Sequence, residues 1–337
     1  MGKSKLTIND IAGRLNLSKS TVSRALSENS DINPETRKKV LAMMEETGFK
    51  PNLLARSLKS GKTGLIGVIV PAYNIPFYSI AISGIQDYAA QNGYNILICH
   101  SNEKTEVEKE NIDSLISSRV DGIIISVAKD HDRNEHIHKL KSSGIPLVMF
   151  NRVVEDIKAA KVVVNDYYGA LNMTKFLIPK VKSKILYLSG PSNLLISLNR
   201  KMGFLDAIKD ADLSSDHYEI IEGDFSSTDG YSKIREQLKK GNNFDTVFCV
   251  CDAVAYGAIK AIKEFNYKIP GDIAVAGFTN EPMTEYVDPR LTTVKQPIYE
   301  IGTNAAKLLI SQIQNPSLPA EFCVLDTEIL VRDSTRS

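Results

Sequence analysis

A chain of 337 residues is longer than one hydrophobic core usually organises, about 100–200 residues, and 43% hydrophobic with 24% charged side chains excludes a disordered or fibrous protein. The net charge of +1 conceals an asymmetry: residues 1–62 carry twelve basic and six acidic side chains, the rest 29 basic and 34 acidic, which suggests a nucleic-acid-binding head on a mildly acidic body. No apolar stretch follows the basic start Met1–Lys5, no run approaches the roughly 18 residues of a membrane span, and four cysteines are too few for a disulfide framework, so a cytoplasmic protein with no membrane partner is expected.

In the head, Ile8, Ile11, Ala12 and Leu15 recur at helical spacing behind Thr7, a plausible N-cap. After Asn16-Leu17, a second short helix capped by Ser18 would bury Val22, Ala25 and Leu26. Two short helices joined by a tight turn have the outline of a helix-turn-helix. A third helix opens at Asn33-Pro34, buries Val40, Met43 and Met44, and stops at Gly48. The run Leu53–Leu58 predicts a fourth, short helical segment, ending in the glycine-bearing junction Lys59–Gly64.

From Leu65 the pattern changes to short apolar runs between amphipathic stretches: 65–70, 95–99, 122–126, 146–150, 185–189, 246–250 and 273–278. Continuous apolar strands alternating with helices predict parallel sheets covered on both faces. The βαβ repeat occurs once before and once after about residue 165, which predicts two similar lobes. Ligands in such folds bind beyond the carboxyl ends of the strands.

The runs TINDIAGRLNLSKSTVSRAL (7–26) and NPETRKKVLAMMEETGFKPNLLARSLKSGKTGLIGVIVP (33–71) closely resemble the lac-repressor (LacI/GalR) family of transcription regulators. So do PFY (76–78), RVDGIIIS (119–126), GDFSSTDGY (223–231), the stretch 269–278 and LTTVKQP (291–297). The resemblance implies an all-α helix-turn-helix headpiece plus an α/β body of two lobes, with parallel sheets like those of periplasmic binding proteins. The implied limits are 1–50 for the headpiece and 51–63 for a hinge helix and linker. The first lobe takes 64–164 with 297–324, the second 165–296 with 325–337. Homodimerisation, double-stranded operator DNA and a small-molecule effector, a sugar or sugar derivative, are implied partners; no cofactor or metal is.

In the headpiece, Lys19, Ser20 and Arg24 occupy the positions from which the family reads bases, and Arg24 can fork onto a guanine. Thr21 and Ser23 can reach phosphates. Thr7, Asn52, Ala55, Leu58 and Lys59 complete the DNA-contacting set the resemblance implies, with Leu58 at the position that wedges into the minor groove. In the body it implies effector contacts from Phe77, Tyr78, Asn151, Arg152, Arg200, Phe225, Asp252 and Thr279. An arginine can clamp ligand oxygens while an aromatic face covers a ring.

Some positions depart from the sugar-responsive pattern. Asn151-Arg152 stands where many members have an acidic residue, Thr279 where they have Asp, and Leu194 and Ile196 where the purine-responsive member is polar. An effector with an anionic or apolar portion is therefore expected. Ser60-Gly61-Lys62-Thr63 lacks the first glycine of a P-loop, because Arg56 stands there. His136 and His138 diverge on a helix, which argues against a metal site with His131. No nucleophile arrangement is legible, so an enzyme is not expected. The sequence reads as an effector-controlled repressor of carbohydrate-use genes that binds a near-palindromic operator as a dimer. The alternative is a sensor acting through a protein partner such as a phosphocarrier protein.

Overall fold

The computed structural model describes residues 6–26, 32–48, 62–129, 134–241 and 243–336, and the chain divides into two units, Met1–Thr63 and Gly64–Ser337. In the first, α1 (Ile8–Arg14), α2 (Lys19–Ala25) and α3 (Pro34–Thr47) enclose a small core of Ile11, Ala12, Val22, Ala25 and Val40. Their ends follow local chemistry. Thr7 and Asp10 form a reciprocal capping box on α1, the Thr7 amide donating to Asp10 Oδ2 at 2.7 Å. Asn16, at φ 52°, makes the left-handed turn that lets the Leu17 amide reach Ala12 O at 2.9 Å. Ser18 caps α2, Asn33 and Pro34 open α3, and Gly48 at φ 62° closes it. Met43 and Met44, expected in this core, pack half-buried against it.

In the second unit each apolar run forms a parallel strand. One six-stranded sheet holds β1 (Leu65–Val70), β2 (Asn95–His100), β3 (Gly122–Ile125), β4 (Leu147–Phe150) and β5 (Ala160–Val164), completed by β11 (Phe322–Leu325) in the order β11-β5-β4-β3-β1-β2. The other holds β6 (Ile185–Ser189), β7 (Tyr218–Glu222), β8 (Thr246–Cys249), β9 (Ala274–Thr279), β10 (Thr292–Lys295) and β12 (Glu328–Leu330), ordered β12-β10-β9-β8-β6-β7. Only β12 runs antiparallel to its neighbour. Strands β5, β7, β10, β11 and β12 fall outside the seven apolar runs read from sequence. Several are edge strands with a polar or exposed face, which breaks the continuous apolar signal.

Side chains alternate between two cores on either face of each sheet, as the two-residue strand period requires. In the first lobe, Ile66, Val68, Val70, Ile124 and Val148 meet α4 (Pro76–Gln91) and α11 (Ile298–Gln314). Ile69, Ile123, Ile125 and Met149 meet α5 (Thr105–Ser117) and α6 (Glu135–Ser142) on the opposite face. Gly84 and Gly302 let α4 and α11 touch: a Cβ on either would collide with the backbone of the other helix at Tyr299 O or Ala81 O. The second lobe repeats the plan. Its helices are α7 (Asp166–Leu177) and α8 (Leu195–Asp210) on one face, α9 (Ser227–Lys239) and α10 (Asp252–Glu264) on the other. The chain crosses between the lobes three times, at Asn165, at Gln296-Pro297 and at Asp326-Thr327, so the lobes share a short three-stranded hinge.

Candidate DNA-reading and effector sites

On α2, Val22 and Ala25 face the core, which turns Lys19, Ser20, Ser23 and Arg24 outward on the opposite side. This places side chains able to donate and accept at the N-terminal part of a solvent-facing helix, as direct readout requires. Three of the expected contacts, Thr7, Ser20 and Thr21, also have a local role. The Ser18 hydroxyl lies 2.8 Å from both Ser20 Oγ and Thr21 Oγ1, and the Thr7 hydroxyl donates to Asp10 Oδ2 at 2.7 Å. Asn52, Ala55, Leu58 and Lys59 lie outside the described residues.

In the body, the parallel strands of each sheet deliver their C-terminal ends, and the loops that follow, to the crevice between the lobes. From the first lobe, Tyr78 is fully buried; its hydroxyl lies 3.3 Å from Ser126 Oγ and accepts from Asn151 Nδ2 at 3.3 Å. Phe77 packs beside it in the core, ring against edge. Burial raises the Tyr78 phenol above its ordinary value, so it stays a neutral donor. Arg152, 5% exposed, donates from Nη1 to Glu103 at 2.7 Å and lies over the Phe225 ring of the second lobe at 4.9 Å. Leu195, from the second lobe, packs against the first lobe's core. At the rim, Asn193 donates to the Lys129 carbonyl at 2.6 Å, and Lys129 Nζ is 3.9 Å from Asp224. The lobes thus meet through an arginine-on-aromatic contact, an apolar contact and a polar clasp.

Arg200, 2% exposed, is more constrained than an effector clamp needs to be. Nε and Nη2 both reach Asp166 Oδ1 at 2.7 Å, Nη1 donates to the Val250 carbonyl at 2.6 Å, and the guanidinium lies 3.7 Å above Phe278. Burial pushes the Asp166 carboxyl up, and the adjacent Arg200 guanidinium opposes that rise. Asp252, which the resemblance assigns to effector contact, is 0% exposed and engaged within the second lobe. Its carboxylate takes the Glu281 amide at 2.8 Å and the Thr293 hydroxyl at 2.6 Å, anchoring the start of α10 to β10 and the turn after β9. Burial pushes it up to about 6. Thr279, at φ 134°, accepts from Gln296 Nε2 at 3.1 Å and so ties β9 to the hinge.

Both arginines are paired with carboxylates, Arg152 with Glu103 and Arg200 with Asp166. Where many members carry an acidic residue this chain has Asn151-Arg152, and the carboxylate beside Arg152 is that of Glu103, on the loop after β2. Nothing periodic in the sequence singles out Glu103, Ser126, Lys129, Asn193 or Asp224. The usable signal is position alone, since all follow C-terminal strand ends or the loop beyond. His136 pairs with Glu108 at 2.7 Å and His138 with Asp156 at 3.2 Å, each engaged separately, and no cluster of three metal-ligating side chains exists among the described residues. No helix among them is long and apolar enough to cross a membrane.

A helix-turn-helix headpiece followed by a two-lobed body with parallel sheets defines a DNA-binding transcription regulator built on a periplasmic-binding-protein-like scaffold. Residues 7–52 match the family of bacterial regulatory proteins, lacI family, and residues 63–324 match the periplasmic binding proteins and sugar binding domain of the LacI family. The chain belongs to the LacI family of bacterial regulatory proteins, and its relatives include transcriptional repressors such as CytR of Escherichia coli. It is 32% identical to the probable HTH-type transcriptional repressor ExuR of Bacillus subtilis, over 98% of each chain. It is 30% identical to catabolite control protein A of Priestia megaterium, over 98% of this chain and 99% of that one. Its fold matches the lac repressor dimer bound to operator and an anti-inducer, with a TM-score of 0.87 and 23% identity over 99% of this chain and 100% of that one. A LacI-family regulator from Enterococcus faecium with bound ribose matches with a TM-score of 0.72 and 28% identity, over 80% of this chain and 98% of that one.

Proposed function

We propose that this protein is a homodimeric, cytoplasmic repressor of carbohydrate-use genes whose affinity for a near-palindromic operator is set by a sugar or sugar derivative bound between the lobes. The observation that carries the DNA half is the outward row Lys19, Ser20, Ser23 and Arg24 on α2, held rigidly by the capped headpiece core. One headpiece reads only a few base pairs, so paired copies on a two-fold site are needed for specificity. Residues 1–50 act as the reading head and 51–63 as the linker that must respond to the body. Phe77, Tyr78, Asn151, Arg152, Arg200 and Phe225 form the effector site, with Asp252 and Thr279 shaping it from behind.

A ligand controls such a protein only if it binds the two lobe arrangements with different affinity. The contacts of Arg152 on Phe225 and of Asn193 on Lys129 supply that difference, because they exist only while the lobes are close. The test is a gel shift with an operator fragment selected from random duplexes, with and without a panel of sugars. Discrete retardation by a dimer, altered by at least one sugar, supports the reading; sequence-blind binding that ignores every sugar ends it.

A further inference from the structure

We infer that Glu103 sets the charge specificity of the cleft: paired with Arg152, it selects an uncharged, hydroxyl-bearing ligand and rejects one that brings its own carboxylate or phosphate. The inference rests on the cleft being the effector site and goes on to say what kind of molecule that site takes. Asn102 and Glu103 are consecutive left-handed residues, at φ 51° and 61°, which turn the chain sharply after β2. From this turn Glu103 Oε2 accepts the Lys129 amide at 3.0 Å, beyond β3, and Arg152 Nη1 at 2.7 Å, beyond β4. Both bonds end on the same oxygen, so Oε1 is committed to neither. One carboxylate therefore stands where the loops after β2, β3 and β4 converge, with an acceptor to spare.

Donors surround it. Arg152 Nε is buried with no hydrogen-bond partner among the described residues, on a side chain that also lies across Phe225. Ser101 Oγ and Ser197 Oγ, one from each lobe, are likewise buried without partners. Buried polar atoms are normally satisfied, and leaving one unpaired costs stability, so an unpaired guanidinium N–H beside Glu103 and across Phe225 is a group that a ligand can satisfy. An aromatic face, a carboxylate oxygen, a guanidinium N–H and hydroxyls together suit a ring carrying vicinal hydroxyls, each of which both donates and accepts.

An anion fares worse for an electrostatic reason. The charge of Arg152 is already balanced by Glu103 at 2.7 Å and that of Arg200 by Asp166 at 2.7 Å, so an incoming carboxylate would lose its hydration and meet the Glu103 charge while both of these guanidinium groups are already paired. The competing role for Glu103, a staple between loops, predicts nothing about ligand charge. Glu103→Gln separates the two, because the amide keeps the shape and an acceptor for the Lys129 N–H while removing the charge.

The experiment is calorimetric titration of the full-length wild type and Glu103→Gln with three matched pairs: galactose and galacturonate, glucose and glucuronate, ribose and ribose 5-phosphate. Wild type should bind at least one neutral sugar, ten-fold or more tighter than its charged counterpart. Glu103→Gln should shrink or reverse that ratio at least ten-fold by freeing the Arg152 charge, and Glu103→Asp should restore part of it. A charged member that binds wild type as well as its neutral parent, a ratio unchanged in Glu103→Gln, or no binding by any neutral sugar overturns the inference. Operator retardation by wild type with the same sugars is read in parallel. If a neutral sugar binds with the stated selectivity yet leaves operator affinity unchanged, effector control is what fails, and the charge selectivity stands.

Discussion

The buried carboxylates Asp252 and Glu281 should make the body lose stability as the pH rises. Asp252 is 0% exposed and Glu281 7%, and the Glu281 amide donates to Asp252, which brings the two acids to one place beneath the turn after β9. Burial, and for Glu281 the neighbouring Asp252 charge, push them to about 6 and about 7, from ordinary values of 3.8 and 4.5. In the window from about pH 5 to pH 7 the unfolded chain has released protons that the folded body retains, so unfolding releases protons and stability falls with rising pH. One retained proton changes stability by about 1.4 kcal/mol per pH unit, and the two acids titrate as a coupled pair, which gives a loss on the order of 2–3 kcal/mol across the window. For a body of this size that is roughly 4–6 °C in melting temperature. Glu281→Gln removes one of the acids and lets Asp252 ionise more easily. Its melting temperature should match wild type near pH 5 and exceed it near pH 8. Scanning fluorimetry of both proteins from pH 5 to 8 decides the matter; a wild-type melting temperature that is flat or rising, or a variant curve parallel to it, would refute the account.

Arg200→Ala should do more than weaken an effector response. Leaving Asp166 buried without its guanidinium should destabilise the second lobe by about 3–5 kcal/mol, visible as a lower denaturation midpoint, and an unchanged midpoint would show that Asp166 finds water or another partner. Arg24→Ala should cost roughly 1–3 kcal/mol of operator affinity and relax preference at one base pair per half-site, measured by binding to a library of operator variants; uniform weakening across all variants would make Arg24 a phosphate contact. Operator affinity should fall steeply with salt as the basic head displaces counterions, and a titration from 50 to 200 mM salt with a flat response would exclude phosphate neutralisation as the source of binding. Gly84→Ala places a methyl group against Tyr299 O and should lower the body's stability by forcing α4 and α11 apart, measured in urea; a neutral result would mean the helix pair yields freely.

The headpiece is legible because its signals are local. Thr7, Ser18, Asn33 and Gly48 cap helices whose apolar residues repeat every three to four positions, and both the cap chemistry and the period act within one or two turns. The seven apolar runs likewise announce strands buried on both faces. The edge strands β7, β11 and β12 remain silent because half their side chains face water, and the exchange of strands through Gln296-Pro297 and Asp326-Thr327 follows from sheet completion, which no local pattern encodes. The site divides the same way. Phe77, Tyr78 and Arg200 can be picked out by family resemblance, but what Arg200 does is decided by Asp166, 34 residues away, and what Arg152 does is decided by Glu103, 49 residues away. Sequence spacing says which side chains exist and which local element carries them. Whether a buried arginine is free to take a ligand depends on which carboxylate the tertiary fold brings within 3 Å, since that distance sets both its charge balance and its remaining donors.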